Sequence, residues 1–64
     1  MYHEHYIIPR FDGKKVVDAS CSAADEKPTD KIGQGSRCIE SDTGDVYLFD
    51  EASGEWVKQF SLQD

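Results

Sequence analysis

The chain has 64 residues, which allows one domain, and a domain of this size hides only about 60% of the surface its unfolded chain exposes. Its net charge of −6, with 7 basic residues scattered among 13 acids, excludes a phosphate-tracking basic stripe and disfavours nucleic acid and anionic membranes as partners. Hydrophobic content of 38% beside 31% charged residues is that of a folded protein rather than a disordered one.

No apolar run is long enough to cross a bilayer. The opening MYHEHYIIPR has neither a basic n-region nor an apolar core, which predicts synthesis and use without export. Tyr2 to Ile8 reads as a first strand, with Tyr2, Glu4, Tyr6 and Ile8 on one side and His3, His5 and Ile7 on the other. Pro9 ends that strand or confines it to a sheet edge. Phe11-Asp12-Gly13-Lys14 carries an Asp-Gly turn signal, and Lys15 to Ala19 reads as the returning strand. His3 and His5 are the weak candidates for a metal: they share a side, but a zinc site needs more ligands than this stretch offers. The plainer reading is two edge-strand histidines, so no metal and no cofactor is expected. An extended, proline-punctuated segment of this kind also suits strand addition to a neighbour's sheet.

Residues 21–35 form the most loop-like stretch. Pro28 breaks helix, and Ala23 to Lys27 allow at most one helical turn. Ile32 is expected to drop into an apolar pocket, with Gly33-Gln34-Gly35 bending the chain towards the next strand. A connection this long in so small a domain invites a contact role. Cys21 and Cys38 make either one bridge or two free thiols; a reducing cytosol favours thiols that pack as small hydrophobes.

Residues 36–60 read as three antiparallel strands joined by two turns. With Thr43-Gly44 as a two-residue loop, Ser41 faces Val46, Glu40 faces Tyr47, Ile39 faces Leu48 and Cys38 faces Phe49. Glu51-Ala52-Ser53-Gly54 fits a four-residue loop, which sets Asp50 opposite Glu55, Phe49 opposite Trp56, Leu48 opposite Val57 and Tyr47 opposite Lys58. Alternation then places Ile39, Val46, Leu48 and Val57 on one face, and Cys38, Tyr47, Phe49, Trp56 and Phe60 on the other. Neither is the polar face of a sheet that turns one side to water. The expected fold is therefore all-β, a small antiparallel sheet or meander of four to five short strands in one domain, 1–64. Its parts are an N-terminal strand or hairpin (1–20), a loop (21–35) and a three-stranded unit (36–60).

No catalytic constellation is visible. Asp42-Thr43-Gly44-Asp45 is a fragment of a calcium loop without the twelve-residue spacing or the closing glutamate. Gly33-Gln34-Gly35-Ser36 lacks the Lys-Ser/Thr of a phosphate cradle. Nothing in the spacing gathers Cys21, Cys38, His3 and His5 into a nucleophile and its base. The expectation is a protein that is not an enzyme. Apolar side chains in excess of what one small core needs point instead to protein contact, and Tyr2, Tyr6, Ile8, Tyr47, Phe49, Trp56 and Phe60 are the interface candidates. Core packing competes for every ring, and for Trp56 it is the first expectation.

Gly35-Ser36, then Asp42-Thr43-Gly44-Asp45-Val46-Tyr47-Leu48-Phe49-Asp50, then Trp56 form a pattern that resembles a family of small proteins from phages and prophages of Gram-positive bacteria. The resemblance covers the chain from Asp25 onward. It implies a virion-associated structural protein of bacteriophage, either a capsid decoration (cement) protein or the base of a head fibre. Such a protein would be made in the host bacterial cytoplasm and would contact the phage capsid or another virion protein. It is expected to form a homo-oligomer, with a trimer favoured, and no catalytic residues come with the likeness. Two other expectations stand beside it: an acidic phage-encoded inhibitor of a host protein, and a receptor- or carbohydrate-binding module with Tyr47 and Trp56 as stacking platforms.

Overall fold

The computed structural model describes residues 1–62. Five strands lie side by side in chain order in one sheet: β1 (His3–Pro9), β2 (Lys15–Cys21), β3 (Arg37–Glu40), β4 (Asp45–Asp50) and β5 (Glu55–Ser61). The fold is all-β, with no helix among the described residues.

The sheet is mixed rather than antiparallel throughout. β1–β2, β3–β4 and β4–β5 are antiparallel hairpin pairs, whereas β2 and β3 run parallel, with Ala19 beside Cys38 and Cys21 beside Glu40. A parallel pair needs a crossover of a dozen or more residues, and residues 22–36 supply it. Crossovers are usually helical, but Pro28 and the Gly33-Gln34-Gly35 bend leave this one irregular. It touches β2 once on its way, through an isolated parallel bridge between Lys15 and Ile32. That bridge drives Ile32 into the core, where it is fully buried.

Ser36 closes the gap between crossover and sheet. Its hydroxyl accepts the Val17 N–H (3.0 Å) and donates to the Gly33 carbonyl (2.9 Å), while its own carbonyl accepts the Phe49 N–H (2.8 Å). The side chain thus satisfies a β2 donor that a strand carbonyl would otherwise serve. Glu51 does the equivalent work at the sheet's end. Its carboxylate takes Arg10 (2.8 Å), Lys14 (2.7 Å) and the Gln34 N–H (2.9 Å), so one side chain ties the first turn, the crossover and the last turn together.

The two C-terminal turns share one geometry. Gly44 N–H bonds the Glu40 carbonyl (2.7 Å) and Gly54 N–H the Asp50 carbonyl (2.8 Å), each closing a four-residue loop on a glycine of positive φ, 78° and 71°. The second register is the one read from the sequence. The first is two residues longer than expected, pairing Ile39 with Val46, Cys38 with Tyr47 and Arg37 with Leu48. A two-residue type I′ loop needs positive φ at both positions, which β-branched Thr43 resists. Thr43 instead caps the longer loop, donating to Glu40 (2.9 Å) and accepting the Asp45 N–H (3.3 Å). A slip of two keeps every side chain on its expected face.

Both outer strands carry a bulge, and there the expected faces change. The β1–β2 register shifts between Glu4 and Tyr6, leaving His5 as the extra residue. Tyr6 and Ile8 consequently share a face with His3 and His5, while Tyr2 and Glu4 lie on the other. The β4–β5 register shifts between Val46 and Tyr47, so Gln59 is extra and Phe60 pairs with Val46. That moves Phe60 off the Cys38–Phe49 face on which alternation alone placed it.

The crossover covers one face of the sheet. Val17, Ala19, Cys21, Ile32, Cys38 and Phe49 form the core beneath it, with Tyr2 and Trp56 packed against the side. Trp56 donates its indole N–H to the Pro28 carbonyl (2.9 Å) and meets Phe49 edge-on. Lys27 reaches in from the crossover to buried Glu40 (2.7 Å) and lies over the Tyr47 ring (4.4 Å). Burial works against that ammonium, but the hydrogen bond to Glu40 and the surrounding charge interactions together outweigh it, and the Lys27 pKa is raised.

Two outcomes follow for stability. Ser36→Ala strands the buried Val17 N–H and is expected to cost about 1–3 kcal/mol in denaturant unfolding. For Glu51, the hydrogen bonds from Lys14, then Arg10, then the Gln34 backbone hold the pKa down to about 2 from an ordinary 4.5. A folded pKa below the unfolded one gives stability that is complete above pH 4.5 and is lost as pH falls towards 2. Glu51→Gln is therefore expected to be less stable than wild type at pH 7 and to lose less between pH 4.5 and 2, read from thermal midpoints across an acid series.

Candidate functional site: the open face of the sheet

Among the described residues no segment crosses the other face, on which Val46 alone of the apolar strand residues is buried. Its side chains fall in rows across the strands, set by the register. Tyr6, Asp18, Arg37, Leu48 and Val57 make the central row, and His3, Ser20, Ile39, Val46 and Phe60 the next. Ile8 with Val16, and Asp50 with Glu55, continue the face on the far side of the central row. Tyr6 is 73% exposed, Ile8 64%, Phe60 54% and Leu62 63%, with Leu48 and Val57 also open to solvent. Two shallow grooves of about 310 and 460 Å³ lie along this surface, and Arg37 and Leu48 line both.

On the covered side the charged strand residues are paired at the margins of the core: Glu4 with Lys15 (2.9 Å), Glu40 with Lys27 (2.7 Å) and Asp45 with Lys58 (3.4 Å). The open side holds one ion pair near its centre, Arg37 with Asp18 (2.7 Å), made through two guanidinium nitrogens. Asp18 raises the Arg37 pKa through that hydrogen bond. Tyr6, Leu48 and Val57 share the row of the pair, while His3, Ser20, Asp50 and Glu55 lie towards the corners of the face.

Three of the seven sequence-derived interface candidates, Tyr6, Ile8 and Phe60, lie on the open face. The other four belong to the covered side. Phe49 is 2% exposed and sits in the core, so it is no interface residue. Trp56 and Tyr2 are partly buried against that core, and Tyr47 lies beneath Lys27. The Tyr2 hydroxyl donates to Glu4 (2.9 Å), and burial together with that bond raises its pKa. The surface aliphatics Val16, Ile39, Leu48 and Val57 were passed over as site residues because rings drew the attention. The signal for Ile39, Leu48 and Val57 was the alternation that gathers them on one face.

Neither cysteine is bridged. Cys21 and Cys38 are buried on adjacent strands with their sulfurs 3.2 Å apart. Burial, followed by the contact with Cys21, pushes the Cys38 thiol up to about 12, which makes it a poor nucleophile at neutral pH. His5 touches the Ser20 hydroxyl (2.7 Å) and His3 stacks edge-on against His5. The carboxylate of Glu4, their chain neighbour, is committed to Lys15 and Tyr2 on the opposite side and does not reach either imidazole. No cluster of three or more metal-ligating side chains occurs among the described residues. β1 pairs with β2 along one side and forms an edge of the sheet, with a bulge at His5.

Comparison with protein-family models, with curated proteins and with solved structures found no match for this chain.

The two faces predict opposite responses to substitution. Leu48→Lys on the isolated chain is expected to change unfolding free energy by about 0.5 kcal/mol or less, and Phe49→Ala to cost about 3–5 kcal/mol. Chemical denaturation at low protein concentration reads both.

Proposed function

We propose that this chain is a non-enzymatic structural protein that works by assembly, with the open face as its assembly surface. The observation that carries the reading is the exposure of large apolar side chains on the face that the crossover leaves open. Tyr6, Ile8, Leu48, Val57 and Phe60 stand in solvent there, around a single central ion pair of Arg37 with Asp18. Water exposure of such a face forfeits about 25 cal/mol for every Å² of apolar surface, which another chain recovers by covering it. Within that class, the resemblance of Gly35-Ser36, the 42–50 hairpin and Trp56 directs the proposal to a bacteriophage virion, as a capsid decoration protein or the base of a head fibre. The pattern residues have work in the fold: Ser36 seals the crossover, Gly44 closes a turn, and Phe49 and Trp56 fill the core. Such a pattern travels with the scaffold and leaves the open face to set the partner.

The carbohydrate-binding alternative gains no support, because its stacking platforms Tyr47 and Trp56 are taken up by Lys27 and by the crossover. The inhibitor alternative rests on net charge alone.

Quantitative mass spectrometry of purified particles tests the virion reading. The expected result is tens to hundreds of copies per particle, and absence from purified virions would contradict it.

A further inference from the structure

We propose that the open face is closed by a second copy of the same chain, packed face to face about a two-fold axis that runs diagonally to the strands. This rests on reading that face as the assembly surface, and it names the occupant.

Size is the first argument. The molecule measures 38 × 21 × 16 Å, so two faces crossed near a right angle overlap across the shorter dimension of each, roughly 440 Å² per partner, at the small end of specific interfaces. A second copy carries an apolar surface of that extent.

Charge supplies the second argument. A chain of net charge −6 repels its own copies across most of its surface. The centre of the open face is the exception, because Asp18 and Arg37 neutralise one another there and enter an interface as a neutral unit.

The corners give the direction. The register puts the imidazoles of His3 and His5 at the β1 corner, in the row of Ser20 and Ile39. It puts the carboxylates of Asp50 and Glu55 at the diagonally opposite corner, where β4 meets β5 beyond Leu48 and Val57. A diagonal two-fold axis lays each histidine corner over the other copy's carboxylate corner, twice by symmetry, with imidazole N–H groups as donors. The strands of the two sheets then cross near a right angle, one of the two arrangements in which sheets pack. Tyr6, Leu48, Val57 and Phe60 are buried between them.

Edge-to-edge pairing is the competing way for a sheet to self-associate, and both edges are built against it. β1 carries its bulge at His5 and β5 carries its bulge at Gln59. An unpaired residue at each edge breaks the ladder that a docking strand would follow.

Light scattering of the full chain over a concentration series tests the proposal. The expected mass is twice 7.2 kDa. Leu48→Glu is expected to reduce it to the single-chain value with an unchanged far-ultraviolet circular dichroism spectrum. His5→Glu sets carboxylate against carboxylate, and it is expected to weaken the dimer by about tenfold or more. The double variant His5→Glu/Glu55→Lys is expected to restore it. A single-chain or three-chain mass for the wild type, or a folded Leu48→Glu variant of undiminished mass, overturns the proposal. Failure of the double variant to recover overturns the diagonal arrangement. Dimers of a chain absent from virions would sink the virion reading and leave this one standing, whereas a virion component that is monomeric would do the reverse.

Discussion

The fold depends on a shortage of covering material. Five strands present two faces, and the chain outside them that can lie across a face is the crossover of residues 22–36. One irregular segment covers one face. Ile32 supplies its apolar anchor, Lys27 satisfies the acid buried beneath it, and Pro28 offers the carbonyl that Trp56 needs. Among the described residues nothing comparable lies over Tyr6, Leu48, Val57 and Phe60. The parallel pairing of β2 and β3 follows from the same constraint, since a chain that crosses a face before rejoining the sheet re-enters it in the direction it left.

Such a crossover is usually a helix whose own hydrogen bonds satisfy its backbone. Here individual side chains do that work. Ser36 stands in for a strand carbonyl towards Val17, and Glu51 gathers the first turn, the crossover and the last turn through Arg10, Lys14 and Gln34. These residues look interchangeable with any serine or glutamate in the sequence, yet they hold the cover in place. The buried thiols of Cys21 and Cys38 fit the same account, as small side chains that let β2 and β3 approach beneath the crossover.

Much of this was legible in the sequence, and the failures have identifiable physical causes. The β4–β5 register follows from Glu51-Ala52-Ser53-Gly54 and alternation. The β3–β4 register slipped by two because a Thr-Gly pair was given a turn that threonine does not accept. The faces of β1 and of Phe60 were misread because an edge-strand bulge adds a residue without a signal in an alternating pattern, and His5 and Gln59 are ordinary edge residues. The parallel pair was missed because alternation records which side of a sheet a residue occupies and says nothing of strand direction; only the length of the 22–36 connection hinted at it. For the site, alternation had already gathered Ile39, Val46, Leu48 and Val57 on one face. What it left undecided was which face the crossover would cover, and that was settled by Ile32, Lys27 and Pro28, residues with no period of their own.

The central claim is that the aliphatic face is out of water in the native protein. Attenuation of methyl resonances by a soluble paramagnetic agent measures this directly on the assembled chain at working concentration. The account predicts that the methyls of Leu48 and Val57 are protected as well as that of core Val17, with the Ala52 methyl at the turn tip strongly attenuated. Attenuation of Leu48 and Val57 to the level of Ala52 would contradict it.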